Sequence, residues 1–253
     1  MTTSPRLVYL PGLTLGPTDS RMSDRLVDHL ILRDVKRQFE LTAVTPPALQ
    51  QGATMAQVAA LYANSIRRLG STPQPLIGFS SGASIALQIT LDFPELVSGL
   101  ILVAGGARLG ERGRVAQSDL MTSDGPPGRC AAARFMSASV SPPMRPIVRG
   151  IAGLATRRSI SAQASALIRA EDSFDVLHRL EGISVPTLVI AGEWDLFYPP
   201  EVTRETASRI PAGELRLYKR RSHAALPFTP AVGRDIASFV SRHLIPERVF
   251  RNE

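Results

Sequence analysis

The chain has one cysteine, two lysines and no long apolar run, and each shortage closes off a class of protein. With Cys130 alone there is no internal disulfide framework and no cysteine metal site, so a reducing, cytoplasmic compartment is the expectation. The longest apolar stretches are strand-sized, well short of the roughly 20 residues a membrane span needs, and no membrane association is expected. Strand character begins already at Arg6, with no charged segment and apolar segment ahead of it, so a secretory leader is not expected either. The net charge of +7 is carried by 27 arginines. No nucleic-acid motif or aromatic platform accompanies that charge, so it points to composition and not to a nucleic-acid partner. G-x-G-x-x-G and Walker patterns do not occur where a strand would support them, and neither a metal nor another cofactor is expected.

At 253 residues, 44% of them apolar and 20% charged, the chain suits one globular domain, or one domain with a large insertion. Short apolar segments alternate with segments of helical period. Strands are expected at Arg6–Leu10, Phe39–Val44, Pro75–Phe79, Val97–Ala104, Pro186–Ala191 and Glu214–Tyr218. Between them, helical spacing runs over Met22–Ile31, over Thr54–Leu69 with Thr54 and Gln57 as a capping box, and over Ser81–Phe93. Further helices are expected near Glu201–Ile210 and after Thr229-Pro230. The continuous apolar character of the strands is that of a parallel sheet covered on both faces. From Ala107 to about Leu180 the alternation lapses into short helical stretches rich in Pro, Gly, Ser and Arg. The economical division is an α/β core at 1–106 and 181–253, with a helical lid inserted at 107–180.

Gly78-Phe79-Ser80-Ser81-Gly82 fits G-x-S-x-G, and it stands where a strand ends and a helix begins. A serine on so sharp a turn takes a strained backbone, which the flanking glycines relieve by removing side chains. The turn would hold the Ser80 hydroxyl above the sheet at a helix N-terminus. A serine hydroxyl needs a base, normally a histidine oriented by a carboxylate. Of four histidines, His29 and His178 lie in helical patterns and His243 near a helix end, whereas His223 follows directly on a strand. The carboxylate belongs at the C-terminal edge of a neighbouring strand, which leaves Asp195 and, two residues earlier, its competitor Glu193. Asp195 has the better reach, while Asp92 and Asp119 are poorly placed.

GFSSG, the acid in VPTLVIAGEWD and the histidine in RSHAAL stand in an order that resembles the α/β-hydrolase superfamily. The resemblance implies an α/β-hydrolase fold with a mostly parallel sheet of about six strands. It also implies Ser80 as nucleophile, Asp195 as orienting acid and His223 as general base. The oxyanion hole would be the amides of Ser81 and of Leu13, in the loop Leu10-Pro11-Gly12-Leu13. Two departures stand out: Pro11 replaces the histidine many members carry before that glycine, and the family's first two strands are not seen ahead of Arg6.

The implied reaction is acyl transfer to water, cleaving an ester, lactone or thioester through an acyl-serine. Phe79, Trp194, Leu196 and Phe197, with Leu13, lie beside these residues and suggest a small, largely apolar substrate. Two other readings use the same residues: non-hydrolytic chemistry (a lyase, an acyltransferase or a cyclase), or a binding protein that keeps the triad without turning over. From Pro126 to Ala170 there are seven arginines (129, 134, 145, 149, 157, 158, 169) and no acidic residue. Beside the reading as a solvated face, this suggests that the lid meets an anionic substrate or an acidic carrier protein presenting a thioester.

Overall fold

The computed structural model describes residues 6–13, 32–44, 48–70, 72–121, 129–155 and 160–245. Its strands are β1 (Arg6–Leu10), β2 (Glu40–Ala43), β3 (Gln74–Phe79), β4 (Val97–Val103), β5 (Thr187–Gly192) and β6 (Gly213–Tyr218). They form one sheet in the order β2-β1-β3-β4-β5-β6, and every neighbouring pair is parallel. The expected strand count and direction hold. β3 starts one residue earlier than expected, and its register with β4 shifts between Gln74 and Pro75, where proline has no N–H to give the ladder.

Period-two alternation explains why the strands read as unbroken apolar runs. Leu7, Tyr9, Ile77, Ile101, Leu188 and Ile190 enter the core on one face of the sheet. Val8, Leu10, Leu76, Leu100, Leu102 and Val189 enter the core on the other. The helices are α1 (Met55–Arg67), α2 (Ser81–Asp92), α3 (Glu111–Met121), α4 (Arg129–Ser139), α5 (Arg145–Ala155), α6 (Ala162–Asp172), α7 (Pro200–Arg209) and α8 (Pro230–His243). Thr54 and Gln57 make the expected capping box at the start of α1. α1 and α2 cover one face, with Val58, Tyr62, Ile85 and Ile89 in its core. α8 covers the other through Val232, Ile236, Phe239 and Val240. The helix expected over Met22–Ile31 lies outside the described residues.

Between β4 and β5 the described residues are largely helical, and their packing is uneven. Ala166 and Ala170 of α6, followed by Phe174, Leu177 and Leu180, belong to the same buried cluster as α1 and α2. α3 and α4 instead contribute Ala116 and Ala138 to a small cluster with Phe197 and Tyr198, in the loop after β5. Beyond them Ile147 and Ile151 of α5 stand exposed. No helix among the described residues is long and apolar enough to cross a membrane.

Candidate active site

At Ser80 the chain turns from β3 into α2 with φ 53° and ψ −125°, a left-handed conformation that a non-glycine residue adopts only when its surroundings force it. Two glycines make the turn possible. A Cβ on Gly82 would lie 2.1 Å from the Leu10 carbonyl oxygen, and one on Gly78 2.4 Å from that of Gly82. The Ser80 N–H donates to the Val103 carbonyl at 2.9 Å, pinning the turn to the end of β4. Ser81 opens α2, so its amide is one of the first-turn donors with no acceptor inside the helix.

The loops after β5 and β6 are laced together by main chain. Trp194 N–H donates to the Arg221 carbonyl at 2.8 Å and Glu193 N–H to that of Tyr218 at 3.0 Å. A Cβ on Gly192 would stand 2.3 Å from the Arg221 oxygen, so only glycine permits this approach. The exposed Glu193 carboxylate accepts the Arg220 N–H at 2.8 Å, at a residue with φ 59°. The competitor for the acid role thus shapes the histidine loop, and Asp195 faces the histidine.

Asp195 is 1% exposed. Its Oδ2 lies 2.8 Å from His223 Nδ1, and its Oδ1 accepts the Phe197 and Tyr198 N–H groups at 2.8 and 3.1 Å. A carboxylate only accepts, so Nδ1 carries the proton and Nε2 keeps its lone pair. That nitrogen is 3.0 Å from Ser80 Oγ. Phe79, Phe197 and Tyr198 surround the imidazole, with ring centroids 5.8, 5.0 and 6.3 Å away. The other sequence candidates are elsewhere. His243 meets Glu214 at 2.9 Å on the surface, and Asp92 pairs with Arg179. His178 is exposed in the turn Leu177–Gly182, Asp119 pairs with Arg134, and His29 lies outside the described residues.

Ser80 and His223 open onto a cavity of about 230 Å³. Of the apolar neighbours named from the sequence, Leu13, Phe79 and Phe197 line it, together with Ser81. Trp194 does not: its ring packs against the Arg220 guanidinium, 5.6 Å from the ring centre. Leu196 lines a neighbouring cleft instead. From α3 and α4 come Gln117, Phe135 and Ser139, and from the loop after His223 comes Phe228, none of which had been singled out. No motif marks them; only the fold brings α3 and α4 over Ser80.

Behind this wall is a buried carboxylate that sequence reasoning missed. Glu171 of α6 is 1% exposed. Its Oε1 accepts Tyr198 Oη–H at 2.6 Å and has Ser84 Oγ at 3.0 Å, while its Oε2 accepts Gln117 Nε2–H at 3.0 Å. Burial, with the Glu171 carboxylate alongside, pushes the Tyr198 phenol well above its usual range. The group ties α6 to α2, to α3 and to the loop of Asp195.

The neighbouring cleft, of about 220 Å³, is lined by Arg112, Arg134, Arg145 and Arg149 beside Val115 and Leu196. Three of the seven arginines between Pro126 and Ala170 therefore converge, joined by Arg112 from α3. Arg157, Arg158 and the side chain of Arg129 lie outside the described residues, and Arg169 does not line the cleft. Partial burial, and then the like charge of Arg112, lower the Arg145 guanidinium below its usual range.

Residues 7–234 match the model of the alpha/beta hydrolase family. RutD of Klebsiella pneumoniae (strain 342), whose name assigns it provisionally to carbamate hydrolysis, is 29% identical over 180 residues. That match covers 66% of this chain and 64% of RutD, so it spans less than two thirds of the relative. Two solved structures share the fold. MGS-M2, an alpha/beta hydrolase from a Medee basin deep-sea metagenome library, has a TM-score of 0.74 at 17% identity, covering 98% of this chain and 93% of that one. The enol-lactonase of Burkholderia xenovorans LB400 has a TM-score of 0.72 at 18% identity, covering 95% and 92%. With the matched residues running from β1 into α8, the chain belongs to the alpha/beta hydrolase family.

Proposed function

We propose that the protein is a serine hydrolase that cleaves an ester, lactone or thioester of a small substrate through an acyl-serine. One observation carries the reading: the unbroken hydrogen-bonded line Ser80–His223–Asp195 opens onto a half-open, mostly apolar cavity. Ser80 Oγ attacks the carbonyl carbon as its proton passes to His223 Nε2, and the imidazolium formed is stabilised by Asp195. The negative charge on the carbonyl oxygen falls to the amides of Ser81 and Leu13, each worth about 3 kcal/mol in the transition state. Collapse breaks the bond to the leaving group, which takes the proton from His223. Water then repeats the sequence, giving up a proton to Nε2 while the acid departs and Ser80 regains its hydrogen. The bond cleaved by the structurally similar enol-lactonase is of this class.

The experiment is labelling with a fluorophosphonate beside hydrolysis of p-nitrophenyl acetate. Both should occur on the intact protein, with the label on Ser80. Labelling without ester turnover favours a lyase, acyltransferase or cyclase, and absence of labelling favours a binding protein. The arginine cleft supports one more element of this reading, a carboxylate or phosphate on the substrate held beside α3 to α5.

A further inference from the structure

An apolar side chain of the same size fills a core without the cost of taking a charge out of water, so a buried carboxylate calls for a reason. Glu171 is 1% exposed and takes no part in the proposed acyl transfer. It stands between two of the groups that do. On one side Tyr198 Oη–H donates to its Oε1 at 2.6 Å, and the Tyr198 main-chain N–H donates to Asp195 Oδ1 at 3.1 Å. The Tyr198 ring lies at 20° to the His223 imidazole, with centroids 6.3 Å apart. On the other side Ser84 Oγ is 3.0 Å from the same Glu171 oxygen and 2.9 Å from Tyr198 Oη. Ser84 belongs to the first turn of α2, and its N–H reaches back to the Ser80 carbonyl at 3.4 Å. One carboxylate oxygen of the insertion therefore joins the helix that follows the nucleophile to the loop that carries the acid.

We infer that Glu171 is a positioning residue: by tying Ser84 to Tyr198 it fixes the Asp195 loop against the turn of Ser80, so that His223 meets both at hydrogen-bond distance. This rests on the serine-hydrolase reading and extends it to the insertion, which supports the chemistry without touching the reacting atoms. Main-chain bonds lace the acid loop to the histidine loop and pin Ser80 to the end of β4. Among the described residues none joins α2 to the loop of Asp195, which leaves that spacing to these three side chains and to packing. A carboxylate suits the task because one oxygen accepts two donors at once, while its other oxygen accepts Gln117 Nε2–H. A misplacement of about 1 Å in such a spacing is enough to cost about 10²-fold in rate.

The test compares Glu171→Met, which keeps the volume and removes the acceptor, with Glu171→Gln, whose amide oxygen still accepts from Tyr198 and Ser84. In the second variant Gln117, whose Oε1 has no hydrogen-bond partner among the described residues, can turn over to accept the new N–H. Tyr198→Phe and Ser84→Ala each remove one arm, and Val58→Ala, in the core under α1, controls for lost stability. Two quantities are read well below the melting range. One is kcat for p-nitrophenyl acetate; the other is the low-field proton resonance of His223 Nδ1–H, identified by its loss in His223→Ala. Glu171→Met should lower kcat by about ten- to hundredfold and shift or broaden the resonance, with Tyr198→Phe and Ser84→Ala moving both in the same sense. Glu171→Gln should keep both close to wild type, and Val58→Ala should leave both in place. Wild-type kcat and resonance in Glu171→Met overturn the inference. So does a loss that Glu171→Gln shares in full, or one that Val58→Ala reproduces. If Glu171→Met does not fold, Tyr198→Phe and Ser84→Ala decide by the same criteria. If the wild type turns over no ester, the hydrolase reading has failed and the resonance decides alone. A resonance moved in Glu171→Met and kept in Glu171→Gln then sustains the positioning role, and one unchanged in both overturns it.

Discussion

The two banks of the cavity are held in different ways. On the sheet side, Ser80, Asp195 and His223 stand at strand ends, and their positions are set by main-chain hydrogen bonds and by glycines that let backbones touch. On the insertion side, Gln117, Phe135 and Ser139 stand on helices, and Gln117 is held by side chains that meet at one buried carboxylate. The first arrangement leaves no room for a Cβ at its glycines and so tolerates few substitutions there. The second depends on side-chain identity, and a few substitutions would rebuild it. Under the proposed reaction, this division would give the bond-breaking chemistry to the sheet and the choice of substrate to the insertion.

The sharpest break between the banks should come from the sheet side. Ser80→Ala should lower kcat by about 10⁶ and abolish fluorophosphonate labelling while circular dichroism and thermal unfolding stay close to wild type. Asp195→Asn should cost about 10⁴ in kcat, because an amide in its place favours the wrong imidazole tautomer. Glu193→Gln, two residues away, should cost less than about tenfold, since it removes only charge from the bond to the Arg220 amide. Comparable losses at 193 and 195 would mean that the geometry has been assigned the wrong acid. Gly82→Ala should fail earlier, in folding, because its Cβ would collide with the Leu10 and Pro11 carbonyl oxygens; soluble, active Gly82→Ala protein would contradict the packing of the elbow.

On the insertion side the effects should be on stability first. Tyr198→Phe takes a hydrogen bond from the buried Glu171 carboxylate and should cost about 2 kcal/mol, a fall in Tm of about 4–8 °C, in a single transition. A variant that melts in two steps would show that the insertion and the sheet are not one cooperative unit. The raised phenol adds a signed pH dependence. Folded Tyr198 keeps its proton where the unfolded chain loses it, so its contribution is complete below about pH 10 and is lost as pH rises through the folded-state value. Wild-type stability should therefore decline in alkali more steeply than that of Tyr198→Phe, as urea titrations across that range would read. Parallel slopes would remove Glu171 and burial as the cause.

The same contrast explains what was legible in the sequence. Strands, elbow, acid and histidine could be read because each rests on short-range constraints: apolar runs of strand length, a glycine two residues either side of Ser80, a histidine in the loop after β6. Asp195 and Glu193 could be ranked only by reach, and the structure separates them by what each carboxylate bonds. The insertion side was opaque because its contacts span the chain. Gln117 meets Glu171 across 54 positions and Ser84 meets Glu171 across 87, with no local pattern to announce either. Trp194 and Leu196 went astray for the opposite reason: proximity in sequence to Asp195 says nothing about which side of the loop a side chain takes.

The smallest effect, and the one that would extend the comparison beyond the cavity, concerns the arginine cleft. Arg112 and Arg145 crowd each other in a half-open cleft where, among the described residues, Asp119 is the one acidic lining residue, and Arg134 pairs with it. An excess of positive charge among the described lining residues would be relieved by an anion, and the planar guanidinium forks suit a carboxylate or phosphate. The cleft and the Ser80 cavity share a wall, since Ala116, Ala138 and Leu196 line the first while Gln117, Ser139 and Phe197 line the second. An anionic group held in the cleft would thus bear on KM and leave kcat nearly unchanged. Arg145→Ala with Arg149→Ala should raise KM for an ester bearing a carboxylate or phosphate by about three- to tenfold and leave a neutral ester of the same size unchanged. The wild-type KM for the anionic ester should also rise as salt goes from about 50 to 500 mM, since exposed charges are screened over that range. A KM indifferent to salt and to both substitutions, for carboxylate and phosphate esters alike, would return these arginines to the role of a solvated face. A loss equal for charged and neutral esters would show that they support α4 and α5 and do not read charge.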